Sequence, residues 1–294
     1  MKRKKALITG AGGFSGRHLT RYLQSQSVEV FPVSVRYDQT KDDNFLADIL
    51  RQVRPDYIFH LAGVASGESL GDYFGVNVLY FGALLQATRE AKMEDRPLLV
   101  VGTAAEYGSI SAQDLPITEE TPCHPYNLYG ISKLAQTLIA LTAAKDEGRP
   151  VIVVRPFNII GSGMPEHLAL TSFARQVTAI RNGARPPVIN VGNLETSRDF
   201  IDIEDVVTLY WMLIQNEGAF GKLFNICTGI ATPIKTLVDL LIDNAAMPIE
   251  VRADRSRFKH VDIPVHYGSN QELHRLIGAF PYTQLRDTIR KIIG

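Results

Sequence analysis

The sequence predicts an α/β fold: a doubly wound, mostly parallel sheet with a smaller α/β substrate-binding lobe from the C-terminal half. Two observations predict the sheet, and a third predicts the lobe. Apolar, β-branched runs recur at 6–9, 28–35, 57–62, 98–103 and 151–155, and each is separated from the next by a stretch of helical periodicity. Crossover helices that cover both faces of such strands make a parallel sheet the natural outcome. Beyond Pro156 the regular alternation weakens into segments punctuated by Pro and Gly, as at Arg185-Pro186-Pro187. Residues 1–160 are therefore expected to form mainly a dinucleotide-binding unit and 161–294 mainly the lobe, with about 187–215 returning to the first core. Helices are expected over 15–26, 43–53, 71–92, 128–147, 167–182, 203–216, 234–245 and 283–293.

Composition limits the function. The 294 residues are 45% hydrophobic, enough for one large core with a lobe built onto it. The 31 basic and 31 acidic residues cancel, so the broad positive field that a nucleic-acid or membrane-surface binder needs is absent. Small-molecule ligands fit better. Cys123 and Cys227 lie far apart without paired spacing, which argues against a zinc site or a disulfide framework and suits a reducing cytoplasm. No metal is expected. The basic start from Met1 to Lys5 resembles a signal leader, but the apolar run behind it ends at Thr9-Gly10, too short for a signal core or a membrane span.

The first strand runs directly into Thr9-Gly10-Ala11-Gly12-Gly13-Phe14-Ser15-Gly16, with glycines at 10, 13 and 16. Gly10 permits a tight strand-to-helix turn, Gly13 lets backbone approach a pyrophosphate, and Gly16 lets the helix pack closely on the strand. The helix N-terminus, at Phe14 and Ser15, faces the phosphate charge. A Rossmann-like sheet is the expected context. After the second strand, where an NAD-preferring site places an acid, the chain has Ser34, Val35 and Arg36. Arg36, helped by Arg17, suits a 2′-phosphate, so NADP(H) is favoured with NAD(H) possible; the bland alternative is two solvated arginines. Asp38 is a candidate acceptor for the adenine amino group. The 28–38 stretch is too short for an ordinary crossover helix.

The chemistry appears at Tyr129-Gly130-Ile131-Ser132-Lys133. Residues four apart on a helix share a face, so the Tyr129 phenol and Lys133 ammonium can point into one site. An adjacent cation is expected to lower the phenol from its usual value of about 10 and make Tyr129 a proton donor to a carbonyl or an acceptor from an alcohol. Tyr37 and Lys41 share the spacing in a segment that reads as loop, a warning about chance. Thr103, at the carboxyl end of its strand, can hold the same oxygen.

Taken together, the glycine-rich start, His60-Leu61-Ala62-Gly63, Asn77, Tyr107-Gly108, the Tyr129/Lys133 pair and Arg155-Pro156-Phe157-Asn158 resemble the extended short-chain dehydrogenase/reductases, the NAD-dependent epimerase/dehydratase family. The resemblance covers nearly the whole chain. It implies that Leu61, Ala62 and Gly63 line the cofactor, that Asn77 supports the site, that Pro156 and Phe157 border the nicotinamide, and that Asn158 approaches a substrate diphosphate. Val191-Gly192-Asn193 and Arg198-Asp199-Phe200 resemble the segment that holds the nucleotide diphosphate in sugar-nucleotide members, with Arg198 as a two-pronged donor. Arg257 and Lys259 fall in a late basic segment that resembles the one closing over the nucleotide, with Lys259 where relatives commonly carry arginine. Glu106 is a further candidate substrate contact.

Within the family, the resemblance favours reduction of GDP-4-keto-6-deoxy-D-mannose to GDP-D-rhamnose over 4,6-dehydration. The dehydratases carry a glutamate two residues beyond the catalytic threonine, and here Ala105 stands there. A C4 epimerase with tightly bound NAD and a non-catalytic cofactor-sensing protein of the same fold remain open. The partners implied are a nucleotide-diphosphate sugar and, through the apolar residues Val78, Leu84, Leu85, Leu134, Leu138 and Leu141 of two helices, a second copy of the chain.

Overall fold

The inner strands of the central sheet carry apolar residues in succession because helices cover both faces, whereas the edge strand at Glu29–Val33 exposes Glu29 and Pro32. In the computed structural model, which describes residues 3–33, 45–166, 168–257 and 263–293, the first half runs β1 (Lys5–Thr9), α1 (Phe14–Ser25), β2 (Glu29–Val33), α2 (Phe45–Val53), β3 (Tyr57–His60), α3 (Leu70–Phe74), a π-helical turn (Gly75–Leu79), α4 (Tyr80–Glu90), β4 (Leu98–Val101), α5 (Leu128–Glu147) and β5 (Val151–Pro156). The second half is more broken: β6 (Asn158–Ile160), α6 (Ala169–Arg181), β7 (Val188–Val191), β8 (Ser197–Arg198), β9 (Phe200–Asp202), α7 (Ile203–Ile214), β10 (Leu223–Ile226), β11 (Thr232–Pro233), α8 (Ile234–Ala245), β12 (Glu250–Ala253), β13 (Val265–His266), α9 (Gln271–Ile277) and α10 (Leu285–Ile293).

The main sheet has the order β10-β5-β4-β3-β1-β2, all parallel. Five strands fall where the apolar runs predict them, and the sixth, β10, comes from the second half. Alternate residues enter opposite layers. Ala6, Ile8, Phe59, Leu99 and Val154 pack with α1 and α7, whereas Leu7, Ile58, Leu98, Val100 and Val153 pack with α2, α4 and α5. A fully buried Leu or Phe of this kind contributes about 1.5–3 kcal/mol. A third cluster joins Ile160, Phe173, Val177, Val191, Leu237, Leu241 and Ile289, and so unites α6, α8, α10 and β7 in a smaller body beyond β6.

The sheet order reverses at β1, which has β2 on one side and β3 on the other. Such a switch point leaves a crevice at the carboxyl ends of the strands, where ligands bind in open α/β sheets. The backbone there is too crowded for a side chain at Gly10 or Gly16. Gly10 has φ +74°, and a Cβ on it would lie 2.6 Å from the Ala62 nitrogen; a Cβ on Gly16 would lie 2.2 Å from the Gly10 oxygen.

Two differences from the sequence expectation bear on the site. The helix expected over 71–92 is interrupted by the π-helical turn that holds Asn77, a widening that recurs at functional sites. The strand expected to reach Thr103 ends at Val101, and Thr103 instead starts a 3₁₀ turn, Ala104–Glu106. Its hydroxyl accepts from the Ala105 amide at 3.2 Å. Helix α5 keeps the expected bounds because Asn127 caps it, accepting from the Gly130 amide at 2.8 Å, and Gly148 ends it with left-handed backbone.

Because Gly16 of α1 rests against the Gly10–Ala11 backbone of the turn, substitution Gly16→Ala forces the helix off the turn. An overpacking loss of about 1–3 kcal/mol is expected, read as a lower urea midpoint. An unchanged midpoint would show that the helix can move away without penalty.

Candidate active site

The glycine turn presents backbone where a negative group can be received. Gly13 forms the N-cap of α1 with no side-chain cap, and the first turn of the helix holds no acidic residue. Its leading amides are therefore available to an anion, favoured by the helix dipole. Gly12 and Gly13 are exposed, and a Cβ on Gly12 would meet no atom within 4 Å. Phe14 and Ser15 are half-buried at the same helix end. These features fit a dinucleotide pyrophosphate. Arg17, expected near a 2′-phosphate, spans Gly12 O (2.7 Å) and Gly163 O (3.3 Å), so its guanidinium ties the glycine turn to the loop before α6. Arg36, Asp38 and Lys259 lie outside the described residues, and of Arg257 only the backbone, in a 3₁₀ turn, is described.

Next to the glycine turn, the segment after β3 carries Leu61, Ala62 and Gly63, with Ala62 against Gly10. Asn77 is fully buried and fixes this segment by exchanging hydrogen bonds with Val64: its Oδ1 accepts from the Val64 amide (2.8 Å) and its Nδ2 donates to Val64 O (3.1 Å). The same Nδ2 donates to the Ser132 hydroxyl at 2.8 Å, which in turn donates to Tyr129 O at 2.8 Å. A Cβ on Gly63 would stand 3.6 Å from Lys133 Nζ. Gly63, Asn77, Ser132 and Lys133 therefore surround one point at the start of α5.

Tyr129 and Lys133 lie one turn apart on α5, as their spacing predicts, and Thr103 reaches Tyr129 through a hydrogen bond. Their electrostatics differ from the expectation. Burial pushes the Tyr129 phenol up, the Thr103 hydrogen bond opposes this, and the Glu106 carboxylate adds to the rise. Lys133 does not offset it, because its ammonium is directed to Val101 O at 2.5 Å and to Gln136 Oε1. Burial pulls Lys133 itself down to about 8, with Glu106 acting in the other direction.

Glu106, expected at the substrate, is a correction. It is fully buried, its Oε1 accepts from the Thr103 amide (2.9 Å), and its Oε2 accepts from Arg155 Nε (2.7 Å). The guanidinium also covers the Tyr107 ring, 4.5 Å from its centroid. The carboxylate thus holds the turn that places Thr103 and is turned inward to Arg155.

Asn158, Asn193 and Arg198 line a cleft of about 790 Å³ together with Ile160, Phe173 and Phe200. Asn158 donates through Nδ2 to Asp199 O (3.0 Å), Asn193 accepts from the Glu195 amide (3.0 Å), and Arg198 Nη1 donates to Ser197 O and Ile263 O (2.8 Å each). Pro156 and Phe157 are buried at the carboxyl end of β5. Sequence reasoning does not single out Ser132 and Gln136; their positions one before and three after Lys133 on a helix are the available signal. Among the described residues no group of His, Cys, Asp and Glu could hold a metal ion.

A model of the NAD dependent epimerase/dehydratase family matches residues 6–227. The chain is 33% identical to the GDP-6-deoxy-D-mannose reductase of Pseudomonas aeruginosa, over 99% of this chain and 96% of that protein. It is 28% identical to the GDP-6-deoxy-D-talose 4-dehydrogenase of Aggregatibacter actinomycetemcomitans, over 98% and 96%. The solved structure of RMD from Pseudomonas aeruginosa complexed with NADPH superposes with a TM-score of 0.88 at 31% identity, covering 99% of this chain and 97% of that one.

Replacing Glu106 by Gln leaves the Arg155 charge buried without a counter-charge, and a loss of about 3–5 kcal/mol is expected, measured by chemical denaturation. The double replacement Glu106→Leu with Arg155→Met is expected to recover part of it. A neutral single variant would show that the pair does not support the turn.

Proposed function

The chain belongs to the NAD dependent epimerase/dehydratase family, and on that premise we propose that it reduces the C4 ketone of a nucleotide-linked 4-keto-6-deoxyhexose, GDP-4-keto-6-deoxy-D-mannose to GDP-D-rhamnose. The observation that carries the reading is the joint placement of Thr103, Tyr129 and Lys133 beside a turn fit for a dinucleotide. The turn after Thr103 offers no acid for elimination: Ala105 has no group to move a proton, and Glu106 is locked on Arg155. Gly10, Gly13, Phe14, Ser15 and Gly16 would hold the pyrophosphate, and Leu61, Ala62, Gly63, Asn77, Pro156 and Phe157 would border the rest of the cofactor. NADP(H) is preferred to NAD(H), as the relative's complex with NADPH supports. Bound there, the reduced nicotinamide supplies a hydride.

The chain's own groups supply the rest. Burial keeps the Tyr129 phenol protonated at neutral pH, so it has a proton to give to the ketone oxygen as C4 gains the hydride. Thr103 holds that oxygen, and Lys133, beside Gly63 and directed to Val101 O and Gln136, would hold the cofactor rather than the phenol. Asn158, Asn193 and Arg198 hold the sugar nucleotide in the 790 Å³ cleft.

No helix among the described residues is long and apolar enough to cross a membrane; the reading places the enzyme in the cytoplasm. It also pairs two copies through α4 and α5. Leu84 and Leu85, named for that face, are core residues instead, but Leu79, Ile131 and Leu138 are exposed, the last two seven residues apart on α5. Sedimentation is expected to give a dimer that Ile131→Glu with Leu138→Glu converts to a monomer; a monomeric parent protein would refute the pairing.

Tyr129→Phe is expected to lower turnover by about 10²–10⁴-fold with NADPH binding retained, in an assay of NADPH loss against GDP-, dTDP-, UDP- and CDP-linked 4-keto-6-deoxy sugars. Full activity of the variant contradicts the assigned role. Sugar interconversion without net loss of NADPH would support the C4 epimerase instead.

A further inference from the structure

Gln136 lies one turn beyond Lys133 on the buried side of α5 and is itself fully buried. Its Oε1 accepts from the Lys133 ammonium, while its Nε2 finds no partner among the described residues. The orientation is dictated by charge: turning the amide would set N–H groups against an ammonium. An unpaired buried donor costs free energy, so the oxygen's contact with Lys133 has to outweigh it. The other groups facing Lys133 are Glu106, from the turn after β4, and His60, from the end of β3. Glu106 is engaged by Arg155 and the Thr103 amide. His60 is buried, bonded through Nδ1 to the Thr9 hydroxyl at 2.8 Å, and held neutral, its imidazole pulled down to about 3. The Lys133 ammonium donates instead to Val101 O and Gln136 Oε1.

We propose that Gln136 is a positioning residue that sets the charge and direction of the Lys133 ammonium, sharing the task with the Val101 carbonyl. The inference rests on the ketoreductase reading for its consequence, not for its geometry. Lys133 sits near 8, below the ordinary lysine range, and loses its proton as pH rises through that value. Without the Gln136 oxygen the charged form is held less well and the titration moves lower; a carboxylate in its place moves it higher.

The test follows the Lys133 titration directly, by NMR of the full-length protein with ¹³Cε-labelled lysine, its signal assigned by its loss in Lys133→Met. A midpoint lower by about one pH unit in Gln136→Leu and higher by about one in Gln136→Glu is expected, with the alkaline limb of kcat/KM for NADPH moving in the same order. Gln136→Glu is nearly isosteric and guards against a folding defect in the leucine variant. Coincident midpoints in the three proteins overturn the proposal. If no sugar nucleotide is reduced by the parent protein, the functional reading fails, and the NMR titration still decides the role of Gln136.

Discussion

The close backbone approach of β1 and β3 at their carboxyl ends is the constraint on which the site depends. Gly10 and Ala62 touch where a side chain on the former could not fit, and this brings the N-terminus of α1 beside the segment that Asn77 anchors. From Asn77 the order passes to Ser132 and so to the first turn of α5. The glycine turn and a phenol from a helix more than a hundred residues later are thereby fixed relative to each other by short, buried contacts.

At the site, two buried cations share one buried carboxylate. Lys133 and Arg155 are buried cations, and Glu106 is the buried anion that acts on both. Burial drives the lysine toward its neutral form; the carboxylate resists that, while its ion pair with Arg155 holds the arginine charged. The same carboxylate raises the phenol of Tyr129. One side chain therefore helps to keep the ammonium charged and the phenol protonated.

Much of the fold was legible because it rests on local signals. Apolar runs mark β1 to β5, glycine spacing marks the turn, and helical periodicity marks α5. The pairing of Tyr129 with Lys133 on one helix was legible for the same reason. What the spacing could not carry was direction in three dimensions: Lys133 points to Val101 O and Gln136, and Glu106 points inward to Arg155. Partners 49 residues apart, as in that pair, leave no periodic trace. Strand β10 escapes the sequence pattern because its four residues stand outside the regular alternation.

Asp199 shows how the sheet and the cleft are joined. Its carboxylate, buried and pushed up by that burial, accepts from the Thr228 amide and hydroxyl and from the Gly229 amide, all beyond the end of β10. Its backbone oxygen accepts from both nitrogens of Asn158 at the start of β6. Asn158, Arg198 and Phe200 line the cleft on either side of it. Because the carboxylate is held by the strand end next to β5 and the carbonyl by the cleft wall, the wall cannot shift relative to the sheet without breaking buried hydrogen bonds, whose loss would leave a desolvated charge unpaired. The cleft wall is thus fixed to the sheet through a residue that lies behind the wall rather than on it.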